Sequence, residues 1–154
     1  MKNSKIITLT SQDSIPQASS GTGTLTSAGN GQQIVGVGTA FLTELNIGDW
    51  IYIKAQNEFQ KIEVITSDTE LYLTEAFTVA LSGSTFHITA SSRYTEISFL
   101  VTGGSNVTAD GITFTPGTAQ TYSKASATGS FAREFVDPID INATGSSVLI
   151  TVLS

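Results

Sequence analysis

No window of about eleven residues in this chain sets its apolar side chains at helical spacing, whereas turn-forming clusters recur roughly every ten residues. Ala28-Gly29-Asn30-Gly31, Gly48-Asp49, Asn57-Glu58, Ser67-Asp68-Thr69, Ser82-Gly83, Gly103-Gly104-Ser105-Asn106, Asp110-Gly111, Pro116-Gly117 and Asn142-Ala143-Thr144-Gly145 punctuate it. A chain cut this finely can build a core only from short strands, because helices need about ten residues or more to bury a stripe. The sequence therefore predicts an all-β fold. Its 23 Thr favour strands, and its 14 Gly and 19 Ser favour the turns between them. β-branched and aromatic residues run throughout, which separates the chain from disordered sequences.

Three segments are predicted. Residues 1–20 read as an extended N-terminal arm: one short strand, Ile6-Ile7-Thr8-Leu9, then a polar stretch from Ser11 to Ser20 broken by Pro16. Residues 21–90 read as a small β-barrel. Thr22 to Thr26 and Gln33 to Val37 flank the turn at Gly29-Asn30-Gly31 as a hairpin, and one helical turn carries Phe41 and Leu45 on one side. Strands follow at Trp50–Ile53, Phe59–Ile65, Leu71–Leu73 and Thr85–Ile88, with Phe41, Leu45, Trp50, Ile62, Val64, Leu71 and Phe86 expected to share the core. Residues 91–154 read as a C-terminal antiparallel sheet or sandwich. Ile97, Phe99 and Val101 share one face, Ser123 to Ser130 reads as an exposed loop, and Val148 to Leu153 is apolar on both faces. That last run must be a central strand or be covered by a partner.

Charge and cysteine content narrow the function classes. The net charge is −6 and only 13% of residues are charged, about half the usual share. Seven Lys and Arg cannot make a dense phosphate-binding surface, so no direct nucleic-acid binding is expected. The absence of Cys removes disulfides, thiolate metal sites and thiol nucleophiles. No apolar run approaches the roughly 20 residues of a membrane helix, and the start is too polar for a signal peptide. The expectation is a protein made in the cytoplasm, without membrane contact.

The candidates for chemistry each have a plainer explanation. His87, the one histidine, could serve as a general base, but it alternates with Phe86 and Ile88 and reads as an exposed strand position. Glu44, Asp49, Glu58, Glu63, Asp137 and Asp140 could supply a carboxylate pair, yet they fall at turns or solvent faces. Asp137-Pro138-Ile139-Asp140-Ile141-Asn142 offers oxygens for calcium but lacks the ligand density of a calcium loop. Gly21-Thr22-Gly23 and Gly36-Val37-Gly38 lack the Lys and helix of a phosphate loop, and read as strand ends, bulges or close backbone approach. Asn106-Val107-Thr108 and Asn142-Ala143-Thr144 match the glycosylation sequon without a secretory signal. Trp50, Tyr52, Phe59 and Tyr72 could line a sugar-binding face, although Trp50 is expected in the barrel core. No catalytic residue, cofactor or metal is expected, and the chain is not read as an enzyme.

The order of signals from Gly21 to Ile88 resembles small β-barrel modules in virion proteins of tailed bacteriophages. It runs through a Gly-Thr hairpin, Gly38-Thr39-Ala40-Phe41, Leu45, Gly48-Asp49-Trp50-Ile51, Lys61-Ile62-Glu63-Val64-Ile65, Ser67-Asp68-Thr69-Glu70-Leu71-Tyr72-Leu73, a Ser-Gly turn and Phe86. This block is a little under half the chain. The C-terminal part, closing on Asp137-Pro138-Ile139-Asp140 and Ala143-Thr144-Gly145-Ser146, is more loosely similar to small phage structural β-domains. The resemblance implies a structural virion protein: an auxiliary or decoration subunit on the capsid, or alternatively a head-fibre, neck or tail component, or a carbohydrate-binding host-attachment module. The implied partners are copies of itself, as a trimer for instance, and a major capsid or other virion protein. A glycan is the weaker alternative.

Overall fold

The computed structural model describes residues 4–90, 96–109, 112–117, 119–123 and 138–153. The fold is all-β, and the chain divides into two compact units. One is Gln17–Ser91; the other joins Met1–Pro16 to Ser92–Ser154. The chain opens with β1 (Ser4–Leu9) and β2 (Gln12–Ile15), which belong to the second unit.

The continuous unit contains β3 (Ser19–Ser20), β4 (Thr24–Ala28), β5 (Gln33–Val37), α1 (Phe41–Glu44), β6 (Trp50–Ile53), β7 (Glu58–Ser67), β8 (Glu70–Leu73) and β9 (His87–Thr89). Every pairing is antiparallel, in the order β3-β9-β6-β7-β8-β5-β4. The two outer strands of that order, β3 and β4, are one stretch of chain interrupted at residues 21–23, so the sheet closes on itself. Ser19 and Ser20 pair with Ile88 and His87. The seam continues through Gly21 N–H to the Phe86 carbonyl (3.0 Å), reciprocal Leu25–Ser84 bonds (2.9 Å each) and Ser27 N–H to the Leu81 carbonyl (3.1 Å). The result is a small closed barrel without an open edge.

Strand alternation fills the barrel with Leu25, Ile34, Ile51, Ile53, Ile62, Leu71 and Leu73, and the loops add Phe41, Leu45, Phe77, Leu81 and Phe86. The single turn of α1 exists to deliver Phe41, whose ring meets Phe86 edge-on at 6.3 Å. Two glycines make room for these rings. A Cβ on Gly21 would lie 2.1 Å from Phe86, and one on Gly36 would lie 2.8 Å from Phe41. Gly21 and Gly36 are thus sites of close approach. Asn57 takes the left-handed conformation (φ 52°) at its turn, as its residue type permits.

Two expected core residues are placed differently. Val64 is 42% exposed, because β7 carries a bulge: Ile62 pairs with Leu73 and Val64 with Tyr72, leaving Glu63 as the extra residue. Glu63 and Val64 both turn outward, and Ile65 packs against the core. Trp50 is half-buried and lies outside the barrel interior, since Ile51 and Ile53 take the inward positions of β6.

The discontinuous unit adds β10 (Glu96–Val101), β11 (Val107–Ala109), β12 (Ile112–Phe114), β13 (Ala119–Ser123), β14 (Ile139–Asn142) and β15 (Val148–Leu153). They form two four-stranded antiparallel sheets, β1-β15-β10-β13 and β12-β11-β14-β2. Apart from the β11–β12 hairpin, successive strands alternate between the sheets, in the double Greek-key order of a jelly roll. Both sheets face one core, with Ile7, Leu9, Phe99, Val148 and Ile150 from the first sheet against Ile15, Val107, Phe114, Ile139 and Ile141 from the second. Phe99 and Phe114 stack across it at 5.1 Å. The run Val148–Leu153 is a central strand, as its two apolar faces require.

The N-terminal arm is corrected by this pairing. Residues 4–9 pair along their whole length with Val148–Leu153, and residues 12–15 pair with Ile139–Asn142. Each strand contributes an edge to one sheet, so the jelly roll is split in sequence and the barrel is inserted after its second strand. The turn at Asp110-Gly111, most of the loop expected over 123–130, and Asp137 lie outside the described residues.

Candidate functional site

Four acidic side chains among the described residues, Glu44, Asp49, Glu58 and Asp68, hold loops. The carboxylate of Glu44 accepts hydrogen bonds from both the backbone N–H (3.1 Å) and the hydroxyl of Thr22. Asp49 accepts from the Asn46 N–H at 3.0 Å, Asp68 from the Leu42 N–H at 3.0 Å, and Glu58 from the Thr78 N–H at 3.0 and 3.1 Å. Asp140 accepts from the Gln12 side-chain amide at 3.2 Å, tying β14 to β2. The bonds to Glu44, Asp49, Asp68 and Glu58 brace loops, each satisfying a donor that strand pairing leaves over. No group of three potential metal ligands occurs among the described residues. Of the six carboxylates named from the sequence, Glu44 lies in α1, Asp49 just before β6, Glu58 and Glu63 both on β7 and Asp140 on β14, while Asp137 lies outside the described residues.

His87 is half-buried on the outer side of β9, opposite Ser20 and Tyr52. Its ring lies tilted at 6.1 Å from Tyr52, which in turn stacks on Phe59 at 4.2 Å and 10°. The three rings run across β9, β6 and β7 on the outside of the barrel. Tyr52 is fully buried there and exposes no ring face. The four aromatic residues read as a sugar platform are thus divided. Tyr52 and Phe59 pack on one another, and Tyr72 stands on β8 opposite Val64. Trp50 remains accessible in part, with the Lys61 ammonium 6.0 Å from its ring centroid. Its indole N–H is buried and makes no hydrogen bond among the described residues.

A polar network that the sequence does not reveal lies on the outer face of β5 and β8. The Gln33 side-chain amide and the Tyr72 hydroxyl both donate to Glu70 Oε1, at 2.7 and 2.9 Å. The bond from Tyr72, followed by that from Gln33, holds the Glu70 carboxyl below its usual range. The same bond raises the Tyr72 phenol, because ionising it would place two negative oxygens in contact. A raised phenol stabilises the fold below the ordinary tyrosine pKa, and the contribution is lost as pH rises through the raised value. The lowered carboxyl stabilises above its ordinary value, and its contribution is lost as pH falls through the lowered one. Spectrophotometric titration, with Tyr72→Phe identifying the signal, should therefore find Tyr72 ionising later than a free tyrosine. Glu70→Gln should return it toward the ordinary value; a Tyr72 titration that ignores this change would refute the network.

A crevice of about 350 Å³ separates the β4–β5 turn from the loop at 76–80, bordered by Ser27, Gly29, Asn30, Phe77, Thr78 and Ala80. Its hydroxyls and amide are already engaged: Ser27 accepts from the Leu81 N–H, Thr78 donates to Glu58, and Asn30 donates to Gln32. No ionisable side chain lines it. No family model matches this chain, and no curated protein or solved structure is detectably similar to it.

Proposed function

We propose that this chain is a non-catalytic structural subunit of a tailed-bacteriophage virion, an auxiliary or decoration protein that stabilises the capsid through contacts with its own copies and with a major capsid protein. The observation that carries this reading is the pairing order of the discontinuous unit. Jelly rolls recur in viral capsid and lectin domains, an analogy at the level of fold. The barrel adds support of a second kind, because the block whose residue order resembles phage barrel modules closes into a self-contained barrel. The bracing role of Glu44, Asp49 and Glu58 fits a part that works by surface contact. Head-fibre, neck and tail positions use the same physics and differ only in the partner.

A glycan-binding attachment role is the second reading, favoured by the placement of Trp50 outside the barrel core. Mass spectrometry of purified particles and a glycan array decide between the two. The structural reading expects the chain in stoichiometric amounts in particles and no glycan signal. Absence from particles overturns it, and glycan binding abolished by Trp50→Ala establishes the alternative.

A further inference from the structure

Asn30-Gly31 is the one Asn-Gly pair of the sequence; Asn3, Asn46, Asn57, Asn106 and Asn142 precede Ser4, Ile47, Glu58, Val107 and Ala143. The pair sits at the tip of the β4–β5 hairpin, where Asn30 is exposed and Gly31 takes φ 89°. An asparagine holds its amide carbon within ring-closing reach of the next backbone nitrogen. The two can react when the following residue has no side chain in the way, which is the case for glycine. The hairpin tip meets that condition and adds another. The Gln32 N–H donates to Asn30 Oδ1 at 3.1 Å, and Asn30 Nδ2 donates to Gln32 Oε1 at 2.6 Å. The carboxamide is thus held in one orientation, with a backbone donor on the oxygen that turns negative when its carbon is attacked. One contact works against reaction. The Gly31 N–H, which belongs to the attacking nitrogen, donates to the Ala28 carbonyl at 2.9 Å and closes the turn.

We propose that Asn30 is a self-modification site, at which the folded chain converts asparagine into aspartate and isoaspartate without an enzyme. The Gly31 nitrogen gives its proton to hydroxide and bonds to Asn30 Cγ. The Cγ–Nδ2 bond breaks, and that nitrogen takes a proton from water and leaves as ammonia. The product is a cyclic succinimide. Water then adds to one of its two carbonyls and opens the ring. Breaking the newly made Gly31 nitrogen–Cγ bond gives aspartate on the original backbone; breaking the original peptide bond gives isoaspartate, whose backbone runs through Cβ and Cγ. Because the attacking nitrogen must first give up Ala28, the fold sets the rate. The reaction is slower than in the unfolded chain and faster than at any asparagine followed by a side chain. Asn30 also borders the crevice between the hairpin tip and the loop at 76–80, which no ionisable side chain lines. Deamidation places a carboxylate there and adds one negative charge to the −6 of the chain. A neutral crevice becomes an anionic one as the molecule ages.

Incubation of the full chain at neutral and at mildly alkaline pH, followed by isoelectric focusing and peptide mapping, tests this. A more acidic species should accumulate, faster at the higher pH, with aspartate and isoaspartate in place of Asn30 and one ammonia released per chain. Asn46, Asn57, Asn106 and Asn142 should keep their amides over the same interval. Unfolding in guanidinium chloride should raise the rate at Asn30 severalfold. Asn30→Gln, whose longer side chain needs a larger ring, should abolish the acidic species, with Trp50 fluorescence reporting that its barrel is folded. An Asn30 amide that stays intact in the folded chain, an acidic species that persists in Asn30→Gln, or equal rates in the folded and unfolded chain overturns the inference. None of these outcomes bears on the virion reading, which the analysis of particles decides separately.

Discussion

Deletion of residues 1–16 should unfold the jelly roll and leave the barrel standing. The deletion removes one edge strand from each sheet, and with them Ile7 and Leu9 (4% exposed each) and Ile15 (0%) from the shared core. Truncating a single buried Ile or Leu to Ala costs about 2–5 kcal/mol. Losing three, together with two ladders of backbone hydrogen bonds, rivals the roughly 5–15 kcal/mol that stabilises a whole domain. Trp50, the one tryptophan, sits on β6 of the barrel and serves as that unit's probe. Calorimetry of the deletion variant should lose one transition while the Trp50 fluorescence transition is retained. A variant that keeps both transitions would mean that β1 and β2 are dispensable, and the pairing described here would be refuted.

Within the barrel the largest single-site effect should come from the edge-on ring pair. Phe41 and Phe86 are 0% and 1% exposed, and each backs onto a glycine with no room to collapse. Phe41→Ala or Phe86→Ala should lower barrel stability by roughly 3–5 kcal/mol, read as a shift of the urea midpoint of Trp50 fluorescence. Val64→Ser, on the bulge, should stay within about 0.5 kcal/mol of the parent. Equal effects at Phe86 and Val64 would show that the bulge register is misplaced.

Both predictions turn on features of very different legibility in the sequence. The barrel could be read because its signals are local: each turn cluster joins strands that pair with near neighbours, as β4 does with β5 across Gly29-Asn30-Gly31. The N-terminal strands could not, because β1 finds its partner at the far end of the chain and Ser11 to Ser20 carries too few apolar residues to announce β2. Trp50-Ile51-Tyr52-Ile53 is apolar at every position, so alternation alone could not say which pair faces inward. Ile62-Glu63-Val64 looks like regular alternation, and only the bulge moves Val64 outside. The candidate chemistry was easier, since acids at turns are the natural braces of loop donors. The Gln33–Glu70–Tyr72 network needed the register of β5 against β8, which sequence spacing does not contain.

The pairing of the first strand with the last also dictates a timetable. On a ribosome, β1 and β2 emerge long before their partners, so the jelly roll cannot close until β14 and β15 are made. The barrel, whose strands are contiguous in sequence, can complete its seam while the rest of the chain is still being translated. During that interval Ile6, Ile7, Leu9 and Ile15 wait as an exposed apolar leader upstream of a finished domain. Nascent chains stalled far enough past residue 91 for the barrel to clear the ribosome, but before β14, should accordingly carry a protease-resistant barrel with a cleavable front end, and only synthesis through β15 should protect it.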